Sequence, residues 1–303
     1  MRMKDYIIYS LSANKKLAKE VANVLNAEVG KARVRHFADG EVLTKTLTDA
    51  SNKDVVIIQS TSKPATPRLF EVLLLIDSIK RQSPKSITLF VPYLGYSRQE
   101  RVSWTNEPVS AQVVANVLDT AEVDRILTFD LHHPIIEDFF KTPIENISTA
   151  PLFIEYFKQV FQERNIKNEE VVIVSPDHGS NLRSKHVAEG FPNSHLVVLN
   201  KVRPQPNRAE HLTTKERFDD KVCLIVDDII DTAGTIASAA KLLYSRGARE
   251  VLVAASHPVL SKDALLTLKN ANIKAIAVTN TIEKKIKGDI KVLDILPLIV
   301  KKL

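Results

Sequence analysis

The sequence predicts an α/β protein built from two doubly wound parallel-sheet domains. Short apolar runs bounded by charge alternate with stretches of helical periodicity, which is the pattern of strands covered on both faces. The same rhythm restarts after Thr149, so the pattern occurs twice along the chain. One apolar run, in the segment Val222 to Ile236 (VCLIVDDIIDTAGTI), ends in acids and a small-residue turn that opens a helix. Ligands bind at such strand ends in open α/β sheets.

In the first half, strands are predicted near Asp54 to Gln59, Ser86 to Val91 and Arg125 to Phe129. Helical stretches near Pro67 to Lys80 and Ser110 to Leu118 separate them, giving the strand–helix alternation of a parallel sheet. The Pro143 to Pro151 segment is the expected boundary, dividing the chain into domains 1–147 and 148–303. Beyond it come a helix from Pro151 and strands at Glu170 to Val174, Leu196 to Leu199, Val222 to Val226, Glu250 to Ala255 and Ala275 to Val278. From Lys201 to about Phe218, hydrophobic periodicity lapses among Lys201, Arg203, Pro204, Pro206, Arg208 and Glu210. A structureless stretch of that length inside a compact domain is usually functional or disordered.

The segment after Val222 can be read chemically. Asp227 and Asp228 at the strand end can accept charge-assisted hydrogen bonds from vicinal sugar hydroxyls. Asp231, Thr232, Ala233, Gly234 and Thr235 form a tight turn into the helix that starts near Ile236. Small residues there let N–H groups at the helix N-terminus approach a dianion, and the two threonines add hydroxyl donors. A strand, an acidic cap and a helix would also fit a purely structural role, but three acids before a phosphate-sized loop exceed what capping needs.

This segment resembles the ribose-phosphate loop shared by type I phosphoribosyltransferases and the PRPP synthetases, the ribose-phosphate diphosphokinases. Four further segments favour the synthetases: His36-Phe37-Ala38-Asp39-Gly40-Glu41, Pro92 to Arg101 (PYLGYSRQER), Asp130-Leu131-His132 and Ser175-Pro176-Asp177-His178-Gly179. With Asn200-Lys201-Val202-Arg203-Pro204, the resemblance runs nearly from end to end. It implies a phosphoribosyltransferase-like fold in both halves. The implied reaction moves the β,γ-diphosphoryl group of ATP to the C1 hydroxyl of ribose 5-phosphate, giving PRPP and AMP. The resemblance also implies particular roles. Phe37, Asp39 and Glu41 would reach ATP across a subunit boundary, and Arg98 and Gln99 would contact it directly. His132 and Asp177 would serve Mg2+, with His132 alternatively a hydrogen bonder at a helix start. Asp227, Asp228, Asp231, Thr232, Ala233, Gly234 and Thr235 would hold ribose 5-phosphate, and Lys201 and Arg203 would stabilise the transition state. A homo-oligomer is implied, a hexamer built from dimers.

This chain departs from the resembled pattern in three ways. Ser180 stands where many relatives have a second glycine, which would restrict a backbone that needed positive φ. Trp104 stands in a stretch where relatives carry cations, and could stack on a base or pack against a neighbouring subunit. The chain ends at Leu303 without the tail of regulated relatives and has no arginine in Asp49 to Asn52, so ADP is expected to inhibit mainly by competing with ATP, and activity is expected to persist in phosphate-free buffer.

Composition sets outer bounds. The 303 residues suffice for two domains, and 44% hydrophobic with 26% charged residues is ordinary for a soluble globular protein. Apolar runs such as Val72 to Ile76 and Ile295 to Val300 are far short of a membrane span, and Tyr6 to Tyr9 is too short for a secretory segment, so a cytoplasmic location is expected. The net charge of +6 is dispersed and suits polyanionic substrates better than nucleic acid. Cys223, the single cysteine, lies inside an apolar strand and reads as a small core residue. Two rival functions share part of this pattern. A salvage phosphoribosyltransferase would need only the 227–235 loop, and a catalytically silent synthetase relative would have interrupted loops.

Overall fold

The structure, a computed structural model, describes residues 5–202 and 211–303. Two compact units form. The first comprises the described residues up to Ile147, with Thr281–Glu283 and Leu296–Leu303, and the second comprises those of Ser148–Asn280 with Lys284–Ile295.

The first unit contains, in order, β1 (Tyr6–Ser10), α1 (Lys15–Leu25), β2 (Glu28–Val29), β3 (Ala32–His36), β4 (Val42–Thr46), β5 (Asp54–Ile58), α2 (Ala65–Lys80), β6 (Ser86–Val91), α3 (Ser110–Asp119), β7 (Arg125–Phe129) and β8 (Ile144–Ile147). Six of these strands form a parallel sheet in the order β2-β1-β5-β6-β7-β8, while β3 and β4 pair separately as an antiparallel hairpin. All five residues of β5 are buried, as a central parallel strand requires. The segment expected to be a domain boundary contains β8, the edge strand of this sheet.

The second unit contains α4 (Ala150–Glu163), β9 (Val171–Ser175), α5 (Asn181–Ala188), β10 (His195–Val198), β11 (Asn200–Val202), β12 (His211–Thr213), β13 (Val222–Ile230), α6 (Gly234–Ser245), β14 (Glu250–Pro258), α7 (Ala264–Asn270), β15 (Ala275–Thr279) and β16 (Lys291–Leu293). Its parallel sheet runs β10-β9-β13-β14-β15-β16, and β11 and β12 form a separate antiparallel hairpin. This is the order of the first sheet repeated. In each unit the second strand flanks the first, a hairpin follows, and the remaining strands add in sequence on the other side.

Alternation along the strands divides the second core in two. Cys223 and Ile225 pack with α6 and α7 residues such as Ile236, Leu243 and Leu268, whereas Val222, Leu224 and Val226 pack with α4 residues such as Phe153 and Phe157 and with Val187 of α5. Helices thus cover both faces, and each fully buried Val, Leu or Ile contributes about 1.5–3 kcal/mol. Burial pushes the Cys223 thiol up to about 12, leaving it a small apolar group in the core. The chain later returns to the first unit. There the Thr281 carbonyl accepts from Asn14 Nδ2 at 3.1 Å and from Ser60 Oγ at 2.6 Å, and α8 (Leu296–Val300) packs on α1.

Candidate active site

The acid-rich segment of the second unit starts inside β13, which runs past the predicted end at Val226 to Ile230. Its register with β9 covers Val222–Val171 to Ile225–Val174, while that with β14 continues to Ile230–Pro258. Asp227 and Asp228 therefore occupy the part of β13 that extends beyond that register, and both are buried. Burial, then the charge of Asp228, raises the Asp227 carboxyl well above the usual range, and Arg183 opposes the shift. Asp228 N donates to Asp227 Oδ1 at 2.9 Å. Asp231, further along, accepts from the Ser261 hydroxyl, and its carbonyl accepts from Ser261 N at 3.0 Å.

Ala233 caps α6 in the left-handed region (φ 65°, ψ 7°), with no side-chain hydrogen bond to the helix start. The first-turn amides of α6 are thus uncapped by a side chain. A Cβ built on Gly234 would meet only Thr232 Oγ1, at 3.7 Å, so space beside this turn is open. The turn supplies amides, two exposed threonines and room, which together suit a phosphate.

The loop after β9 faces the same acids. Asp177 accepts from Ser180 N at 3.0 Å, and Ser180 Oγ donates to Asp227 Oδ1 at 2.9 Å. Ser180 has φ −85° and ψ 0°, so no positive φ is demanded where relatives carry glycine, and its side chain adds no strain. From α5, Arg183 Nη1 lies 3.8 Å from Asp228 Oδ1 with both side chains buried. Arg183 escaped the sequence reading. The available signal was a cation three residues after Ser180, hence on the same side of the helix.

Lys201 lies on β11, exposed, opposite Leu212 of β12. The hairpin stem is anchored by buried Leu199, whose amide donates to Ser175 O at 2.9 Å, and by Leu212 against the same core. Arg203 falls outside the described residues, as do Pro204, Pro206, Arg208 and Glu210.

In the first unit, Phe37, Asp39 and Glu41 form the exposed turn between β3 and β4. Phe37 N donates to Glu41 O at 2.8 Å, Glu41 N donates to Asp39 Oδ1 at 3.1 Å, and Gly40 adopts φ +93°. The Arg35 guanidinium sits 4.8 Å from the Phe37 ring centroid. The turn is therefore tied together before any ligand arrives.

Arg98 and Gln99 are exposed on a segment laced to the loop between β5 and α2. Gly95 N donates to Thr61 Oγ1 at 2.7 Å and Thr61 N to Tyr93 O at 2.9 Å, while Gln99 accepts from the Ser110 hydroxyl. A Cβ on Gly95 would lie 2.4 Å from the Thr61 carbonyl oxygen. Gly95→Ala is therefore expected to displace the segment carrying Arg98 and Gln99, costing about 1–3 kcal/mol of stability. Thermal denaturation checks this, and an unchanged melting temperature would refute the close approach.

His132 follows Asp130, which takes φ 33°, and Leu131, whose amide donates to Asn146 Oδ1 at 3.0 Å. At the start of the short helix that follows, His133 Nδ1 accepts from Ile135 N at 3.2 Å. Among the described residues no group of three or more His, Cys, Asp or Glu side chains converges as a metal cage. The one carboxylate of the loop after β9 that is oriented yet partly exposed is Asp177. A sparse oxygen donor of this kind fits magnesium, which keeps much of its shell as water and substrate phosphate. Trp104 is exposed on a tight turn in which Trp104 N donates to Glu107 Oε2 at 3.0 Å, Glu107 N donates to Trp104 O at 3.1 Å, and Asn106 takes φ 69°. No helix among the described residues is long and apolar enough to cross a membrane.

A parallel α/β sheet with an acid pair leading into an open phosphate-sized turn defines a phosphoribosyltransferase-type protein, and residues 144–287 match the phosphoribosyl transferase domain family. Residues 6–121 match the family described as the N-terminal domain of ribose phosphate pyrophosphokinase. The ribose-phosphate pyrophosphokinase of Bacillus caldolyticus is 40% identical over 296 residues, spanning 96% of this chain and 91% of that protein. The Bacillus subtilis enzyme of the same name is 41% identical over 288 residues, 94% of this chain and 89% of that protein. The crystal structure of phosphoribosylpyrophosphate synthetase from Mycobacterium smegmatis superposes with a TM-score of 0.88 at 33% identity, covering 99% of this chain and 97% of that one. The chain belongs to the ribose-phosphate pyrophosphokinase family.

Proposed function

We infer that this protein transfers the β,γ-diphosphoryl group of ATP to the C1 hydroxyl of ribose 5-phosphate, producing PRPP and AMP for nucleotide biosynthesis. The observation that carries this is the buried acid pair leading into the uncapped α6 turn, on a chain whose residues 6–121 match the N-terminal domain of this family. In this reading, residues 148–303 hold the sugar. The α6 turn (Thr232 to Thr235) binds the 5-phosphate through amides and hydroxyls, while Asp227, Asp228 and Asp231 orient the ribose ring through its hydroxyls. Residues 1–147 hold ATP, with Arg98 and Gln99 on the nucleotide. Phe37, Asp39 and Glu41 complete the ATP site of a neighbouring subunit. That arrangement makes the protein a homo-oligomer; by family resemblance the assembly is a hexamer built from dimers, and the protein is assigned to the cytoplasm.

Attack by the anomeric oxygen on the β-phosphorus concentrates negative charge on the transferring group. Lys201 and Arg203 neutralise that charge as it develops. Asp177 and His132 are assigned to Mg2+, which when bound would neutralise charge on the phosphate oxygens of ATP.

AMP release from ATP and ribose 5-phosphate, followed chromatographically, tests the reaction. Stoichiometric AMP and PRPP are expected. Consumption of PRPP with a purine base, without AMP formation from ATP, would assign the protein to salvage instead. Sedimentation velocity tests the assembly, and a monomer at assay concentration would contradict it.

A further inference from the structure

The acid pair of β13 is held from outside its own strand by the segment that follows β9. One residue bridges two carboxylates: Ser180 N donates to Asp177 Oδ1 at 3.0 Å, and Ser180 Oγ donates to Asp227 Oδ1 at 2.9 Å. Ser180 is itself fixed, since its carbonyl accepts from Ser184 Oγ at 3.0 Å one turn into α5. Asp227 Oδ1 also accepts from Asp228 N at 2.9 Å, so two donors set the plane of that carboxylate. Strand alternation continued past Val226 puts Asp228 on the sheet face covered by α4 and α5. There Arg183 Nη1 approaches Asp228 Oδ1 to 3.8 Å, with side-chain exposures of 8% and 5%. At that distance the guanidinium compensates the carboxylate charge, and burial makes the compensation strong.

Two adjacent carboxylates this deeply buried repel one another and would otherwise rotate toward solvent. We propose that Ser180 and Arg183 are positioning residues for ribose 5-phosphate, tying the loop after β9 to Asp227 and Asp228 so that loop and acid pair form one rigid cradle. The proposal rests on the assignment of the acid pair to the sugar. Ser180 acts through Asp227 and Arg183 through Asp228, and neither needs to touch the substrate. A glycine at position 180 would keep the backbone bond to Asp177 and lose the tie to Asp227. The serine therefore adds a connection that the loop backbone alone does not provide.

A double-mutant cycle tests the tie. Steady-state kinetics of the full-length protein are compared for the unmodified chain, Ser180→Ala, Asp227→Ala and the double variant, with ribose 5-phosphate and ATP varied in turn. Ser180→Ala is expected to raise KM for ribose 5-phosphate roughly tenfold, the loss of one hydrogen bond to a charged group, while KM for ATP stays within about twofold. Because the hydroxyl acts through Asp227, adding Ser180→Ala to Asp227→Ala should cost little more. Additive effects, or an unchanged ribose 5-phosphate KM in Ser180→Ala beside a raised one in Asp227→Ala, would overturn the tie and leave the sugar assignment standing. An unchanged KM in Asp227→Ala would overturn the sugar assignment and the tie with it. Arg183→Lys keeps the charge and should raise the ribose 5-phosphate KM less than Arg183→Met does. Equal values for the two would remove Arg183 from the proposal. If Arg183→Met does not fold, Arg183→Lys against the unmodified chain decides, since a shorter cation should still raise that KM several-fold. Calorimetric titration of ribose 5-phosphate repeats each comparison without turnover.

Discussion

Lys201→Ala is expected to lower kcat roughly a hundred- to a thousandfold, the effect of removing one group that meets charge developing in the transition state, while the Kd for ATP changes little. Arg203→Ala should behave alike. Both expectations follow from charge. Ground-state ATP is already bound through its own contacts, whereas the anionic transferring group exists only during the reaction, so a cation aimed at it shows in kcat and not in binding. The placement of Lys201 suits that division. It is exposed on β11 one residue past Asn200 and two past buried Leu199, so the backbone carrying it is anchored while its side chain stays clear of the core. Single-turnover quench measurements separate chemistry from release, and isothermal titration gives ATP affinity. A variant with near-normal single-turnover rate would remove Lys201 from the chemistry. Lys201→Arg should recover part of the rate, because the charge returns with different geometry.

The elements that were legible in sequence were those whose environment leaves a one-dimensional trace. β5, β6, β7, β13 and β14 are buried on both faces and read as apolar runs within a few residues of their observed limits. The β3–β4 hairpin left no such trace, because ARVRH and VLTKT expose alternate Arg, Lys and Leu43 side chains and bury little. Its turn was found instead through the FADGE resemblance. β13 was read too short because Asp227 and Asp228 look like the end of a strand, whereas the ladder to β14 carries them onward. The repetition of one fold in the two halves is expected from the restarted rhythm and the resemblance, although no residue-level repeat marks it. It resides in connectivity, which different residues satisfy equally well as long as each strand is apolar.

At the site, residue types were legible and partners were not. Two acids and a small-residue turn announce a sugar-phosphate cradle, but only the fold brings Ser180 and Arg183 against them across about forty-five positions of sequence. The same holds for His133, whose capping bond to Ile135 N cannot be separated in sequence from a role for His132. In sequence Ser180 reads as a source of strain; its φ of −85° removes the strain, and its hydroxyl makes a connection to Asp227 instead.

Asp227→Asn is expected to make the protein more stable and a poorer enzyme. The carboxyl is buried, lies next to Asp228 and is raised well above its ordinary range, first by burial and then by that neighbouring charge. A raised carboxyl favours folding where it is protonated and disfavours it where it is charged. Its contribution is fully present below the unfolded-state value of about 3.9 and is lost as pH rises toward the raised folded-state value. The amide removes that loss. The stability gain of Asp227→Asn should therefore be negligible in acid and grow with pH across that window. The Ser180 hydroxyl keeps an acceptor in the amide oxygen, so packing is conserved. Function should move the other way, since losing one charge-assisted contact to a ribose hydroxyl costs about 1.5–3 kcal/mol, a rise in ribose 5-phosphate KM of roughly ten- to a hundredfold with ATP binding little changed. Melting temperatures measured in a pH series, beside kinetics with each substrate varied, test both halves. A variant that melts lower at every pH would contradict the account of Asp227 as a charge held at a cost by the fold. An equal loss for both substrates would place the sugar away from β13.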